Sequence, residues 1–133
     1  MDLGARMLIE LLREGQRVRC MARGGSMWPV VRDGATMEVT PCPAASLRPG
    51  ELGAFVGSER VVIHRVVAHE NGGVRFRGDA LGYDDGVVPA ALVLGRARVL
   101  SSPRLGLRLP TARHVVAAAR AARSWLRLRL ART

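Results

Sequence analysis

Arg17-Val18-Arg19-Cys20-Met21-Ala22-Arg23, running directly into Gly24-Gly25-Ser26-Met27-Trp28-Pro29, is the stretch that decides the fold. Its first half alternates, with Val18, Cys20 and Ala22 on one side and Arg17, Arg19 and Arg23 on the other. Period two with one apolar face reads as a β-strand. The strand stops at paired glycines, so Ser26 sits at a strand-to-turn junction.

Working outward, Asp2 caps a first helix over Leu3 to Glu14, with Leu8, Leu11 and Leu12 at helical spacing and Gly15 ending it. Downstream, strands are predicted over Thr36 to Thr40, Leu52 to Val56, Val61 to Val67, Val74 to Arg77 and Leu92 to Leu100. Pro41-Cys42-Pro43, Pro49-Gly50, Asn71-Gly72-Gly73 and Gly82 to Gly86 separate them, all rich in turn formers. The fold class is therefore mainly β, a compact antiparallel unit with one helix in front. Residues 1–100 make this domain, and 101–133 make a linker and a helical tail.

That tail changes the composition. On a helical projection Arg113, Arg120, Arg123 and Arg127 fall on one side and Val115, Ala119, Ala122, Leu126 and Leu130 on the other, a basic amphipathic helix. Three partners fit it: the β unit or a second copy of the chain, an anionic membrane surface, and nucleic acid. Nucleic acid is the least favoured, because one Tyr, two Phe and two Trp in 133 residues leave little for base stacking. Central arginines bar the helix from spanning a bilayer.

The formal net charge is +10, and all 21 basic side chains are arginine. Such a balance attracts something acidic without choosing it. Cys20 and Cys42 make no CxxC pair, so neither a zinc site nor a thioredoxin-like motif is expected, and they are expected to stay reduced. No secretory signal and no apolar run of membrane-spanning length is present, so the expected compartment is the cytoplasm. No cofactor is expected, and no metal, since no ligand spacing supports one.

The lysine-free composition constrains the chemistry. A serine hydroxyl is a weak nucleophile until a base takes its proton, and arginine cannot act as that base. If Ser26 is a nucleophile, its base is His64, His69 or His114. His64 lies in the strand Val61-Val62-Ile63-His64-Arg65-Val66-Val67, whereas His69 falls in a hairpin loop and His114 in the tail. Asp79, Asp84 and Asp85 follow in the turn-rich stretch Arg77 to Gly86. Hydroxyl, imidazole and carboxylate in that order supply nucleophile, base and orienting group.

Gly25-Ser26-Met27-Trp28-Pro29, Gly34, Pro49-Gly50-Glu51, Val62-Ile63-His64-Arg65-Val66-Val67 and Gly78-Asp79-Ala80 through Asp85 together resemble the boxes of the signal peptidase I superfamily, in its Ser/His branch. The resemblance covers roughly Val18 to Val99. It implies a signal-peptidase-like β fold, Ser26 as nucleophile, His64 as general base, and Asp85, ahead of Asp79, as the group that orients His64. The implied substrate is an extended peptide, such as the leader of a precursor peptide, laid between the strands Arg17 to Arg23 and Val61 to Val67. Met27, Trp28, Val62 and Val66 would line its side-chain pockets, and Arg17, Arg19 and Arg23 would favour acidic leaders. An inactive, peptide-binding partner subunit is the alternative. Departures from the family are the short amphipathic helix in place of a membrane anchor, Ala35 at a usually acidic box position after glycine (the other such position, Glu51, keeps a carboxylate), Leu81 in place of an asparagine, and Gly24, which offers no side-chain donor to an oxyanion.

Overall fold

A computed structural model of the chain describes residues 1–103. The tail helix and His114 lie outside the described residues. Helix α1 spans Leu3–Arg13, and the Asp2 carboxylate accepts from the Ala5 N–H at 2.7 Å, the N-cap its position predicts. Seven strands follow: β1 (Val18–Met21), β2 (Thr36–Pro41), β3 (Leu52–Val56), β4 (Val61–Glu70), β5 (Gly73–Arg77), β6 (Val87–Pro89) and β7 (Val93–Ser101). All pair antiparallel in one sheet of order β1-β2-β7-β3-β4-β5-β6. Among the described residues, no helix is long and apolar enough to cross a membrane.

Alternation along the strands divides the core in two. Leu52 and Ala54 of β3 join Met37, Val39, Ala97 and Leu12 in one cluster, while Phe55 joins Leu47, Val66, Val74, Phe76 and Val88 in the other. Burial of these side chains contributes about 25 cal/mol per Å² of apolar surface removed from water. Between β4 and β5, Asn71 and Gly72 have φ of 49° and 73°, the pair of positive values that a two-residue type I′ hairpin turn requires.

Two strands differ from the expectation. β4 continues to Glu70, so His69 is a strand residue and not a loop residue; its Nε2 lies 2.5 Å from the Leu47 carbonyl oxygen. A register shift between Val66 and Ala68 breaks the alternation there, which is why the pattern reads as a strand end. β6 was not expected, because three residues are too few to show a period.

The pairing leaves two strand edges open where the site lies. β1 pairs only with β2, and β5 pairs with β4 only from Arg65 onward. The outer edge of β1 and that of Val61–His64 are therefore without strand partners among the described residues.

Candidate active site

Ser26 follows β1 in a tight turn. Gly24, with φ 82°, takes a backbone conformation that side-chain-bearing residues rarely adopt, and its N–H donates to Asp33 Oδ1 at 2.8 Å. Beyond the serine, the Trp28–Pro29 peptide is cis. A second segment braces the turn from behind. The Ala80 N–H donates to the Ser26 carbonyl at 2.8 Å, and the Asp79 N–H to Met27 Sδ at 3.3 Å.

The Ser26 hydroxyl oxygen is 3.0 Å from His64 Nε2. On the other side of the ring, Nδ1 is 2.6 Å from Asp85 Oδ2. A neutral imidazole that donates from Nδ1 to the Asp85 carboxylate presents the lone pair of Nε2 to the serine hydroxyl. His64 is 5% exposed and packs edge-on against Phe55, with ring centroids 6.1 Å apart. Phe55 in turn stacks on Phe76 at 4.5 Å. Gly53 stands directly across the ladder from His64, and a Cβ there would fall 2.7 Å from the Phe76 ring. The missing side chain is what lets the aromatic pair reach in behind the imidazole.

Asp85 is held by its own backbone, whose N–H donates to the Phe76 carbonyl at 2.8 Å. Its neighbour Asp84 is anchored separately. Arg75 donates to both Glu70 oxygens, at 2.8 and 3.0 Å, and to Asp84 Oδ1 at 3.0 Å. The hydrogen bond from Arg75 holds the Glu70 carboxyl below its usual range; for Asp84 the Gly86 N–H does most of this, with the Arg75 charge adding to it.

Both ring nitrogens of His64 are met by Ser26 and Asp85, and Asp79 serves Arg65. Its carboxylate takes Arg65 side-on, from Nε at 2.8 Å and Nη2 at 2.6 Å, while Arg65 Nη1 donates to the Gly50 carbonyl at 2.8 Å. Both partners are buried, Asp79 to 3% exposure. The pair ties β4, beside the imidazole, to the segment that braces Ser26. An arginine inside the apolar run Val61 to Val67 was the sequence signal for such a buried partner, since an unpaired guanidinium there would be prohibitive.

A groove of about 760 Å³ opens beside the Ser26–His64 pair. Ser26, Met27, Val62, Arg19 and Arg23 line it, as the sequence suggested. Three of the expected lining residues do not. Val66 is 2% exposed because β5 has joined the ladder by that point and Phe76 lies opposite it. Arg17 is directed to Glu38, with Nε 3.9 Å from Oε1, and Trp28 is not part of the wall. Residues not anticipated take their places: Met7, Leu8 and Leu11 of α1, Met21, and Arg60 in the turn before β4. Amphipathic spacing in α1 foretold an apolar face, but not that this face would border the groove.

Cys20 also lines the groove, unpaired like Cys42, and burial raises its thiol pKa. Among the described residues no three His, Cys, Asp or Glu side chains gather as metal ligands would. No protein-family model matches the chain, and no curated protein matches it.

Proposed function

We propose that this chain is a small serine endopeptidase of the signal-peptidase-like type, cleaving an extended peptide by acyl transfer. The observation that carries the reading is the continuous contact Ser26 Oγ to His64 Nε2 to Asp85, at 3.0 and 2.6 Å, at the wall of an open groove. Nε2 takes the hydroxyl proton as Oγ attacks the substrate carbonyl. The same proton passes to the leaving amine as the C–N bond breaks. Water then attacks the acyl-serine ester, giving one proton to Nε2, which returns it to Ser26 as the acid fragment departs. Asp85 keeps the ring in its working tautomer and offsets the charge that develops on it. The Ser26 backbone N–H makes no hydrogen bond among the described residues, and is the donor for the oxyanion.

Two open edges beside the serine suit a substrate that is itself a strand, because such a peptide gains main-chain hydrogen bonds without needing one fixed sequence. Two free thiols accord with a cytoplasmic setting. A second reading is a binding module that holds a peptide without cutting it. Gly24 favours that reading, because it leaves the oxyanion without a side-chain donor.

A peptide library digested from a proteome, incubated with the chain and read by mass spectrometry for new termini, tests the proposal. New termini should be made by the native chain and vanish with Ser26→Ala. Retention of peptides without any new terminus would favour the binding module.

A further inference from the structure

We infer that the groove selects acidic peptides through Arg60, placed to meet a carboxylate about four residues from the bond that is cut, with Arg23 acting nearer the serine. The inference rests on the peptidase reading of the site for what it calls the cut bond, but its charge argument stands on the groove itself. Several arginines of the domain already have carboxylate partners. Arg65 is taken by Asp79, Arg75 by Glu70 and Asp84, Arg96 by Glu51, and Arg98 by Glu38. Arg19, which lines the groove, stands 3.8 Å from Glu38 Oε2 and so gives part of its field to a residue of the fold.

Arg23 and Arg60 line the same groove, and among the described residues neither side chain has a hydrogen bond or an ion pair. Both are exposed. Against them the described wall carries one carboxylate, Asp2, whose Oδ1 accepts from the Ala5 N–H at the start of α1. Arg19, Arg23 and Arg60 against Asp2 leave the described wall of the groove net positive.

Register gives the position. Arg60 stands in the turn just before β4, four residues ahead of His64 on a strand whose outer edge is open from Val61, about 13 Å at the rise of an extended chain. A peptide paired to that edge advances in step with β4. The residue it brings to Arg60 lies about four places from the one beside His64. The same groove wall carries Met7 and Met21, both more than half exposed, which favours apolar side chains in the rest of the bound segment. The occupant is thus an extended segment with apolar residues near the cut and a carboxylate about four residues away.

The Ser26→Ala chain, which would not consume its ligand, serves for binding. Fluorescein-labelled decapeptides with an apolar centre, carrying a single Glu moved one place at a time, are each compared with their Gln twins by anisotropy at low salt. At one position the Glu peptide should bind about fivefold more tightly, the upper range for an exposed charge pair. That ratio should shrink with added salt, fall to about one in Arg60→Gln, and turn to favour a Lys twin in Arg60→Glu. Arg60 is exposed in a turn, so these changes leave the core alone. A ratio unchanged by Arg60→Gln, no position of preference, or no binding at all would overturn the inference. The best peptide is then given to the native chain. Acid-selective binding without cleavage removes the peptidase reading and leaves the arginine assignment standing, while cleavage indifferent to charge does the reverse.

Discussion

Asp79→Asn and Asp85→Asn should separate stability from chemistry, although both change one carboxylate within six residues of the other. Asparagine at position 79 keeps the volume and one carbonyl to accept from Arg65 Nε, but turns an NH2 toward Nη2, now 2.6 Å from a carboxylate oxygen. The guanidinium, 11% exposed at its side chain, is left with its charge unanswered. Breaking a buried pair in this way costs about 3 to 5 kcal/mol, and the surviving hydrogen bond with the Gly50 carbonyl places this case near the lower end. At roughly 4 to 8 °C per kcal/mol for a domain of this size, the thermal midpoint should fall by roughly 12 to 24 °C. Asp85, 20% exposed at its side chain, makes one contact with His64, and its loss should cost only about 1 kcal/mol. Peptide cleavage, however, should drop by about 10⁴, the usual effect of removing the orienting carboxylate from a serine triad. Circular-dichroism melting and cleavage assays on the two variants measure both quantities. An Asp79→Asn chain that melts with the native one, or an Asp85→Asn chain that keeps full activity, would refute this division of labour.

Gly53→Ala should destabilise the domain by about 1 to 3 kcal/mol in urea unfolding, because the new methyl group meets the Phe76 ring, and should slow cleavage through the displaced support of His64. Glu38, Glu70 and Asp84 have their pKa values lowered in the fold, so their contribution is complete above the ordinary values of 4.5 and 3.8 and is lost as the pH falls through the lowered ones; the melting temperature should decline on acidification below about pH 4.5, not on the alkaline side. Iodoacetamide should modify Cys20 slowly at neutral pH, since burial raises the thiol, and the modified chain should lose peptide binding because Cys20 lines the groove; intact mass and anisotropy read the two effects.

Local periodicity carried much of the fold. The alternation at β1, the four-residue separation of apolar positions in α1, and the glycine and proline clusters between strands are properties of neighbouring residues, and sequence displays those directly. What escaped depends on distant partners. Val66 reads as a groove residue from its parity with Val62 and His64, but β5 covers it. Arg60 reads as a turn residue until the open edge of β4 places it on the groove wall. Local pattern gives no physical ground for separating Asp79 from Asp85, whose partners, Arg65 and His64, lie in another strand. The order serine, histidine, aspartate was legible because it follows the chain. Distances of 3.0 and 2.6 Å were not, since they arise from long-range contacts that bring Ser26, β4 and the Gly82–Gly86 stretch together.

The central claim is that His64 activates Ser26. It is tested most directly by the cleavage rate of His64→Ala on the best peptide substrate of the native chain, with rapid acid quench and intact mass to detect an acyl group on Ser26. The expected rate is at least about 10³ lower than native, with no acyl adduct within the native turnover time. Undiminished cleavage by His64→Ala, or an adduct formed as fast as in the native chain, would contradict it.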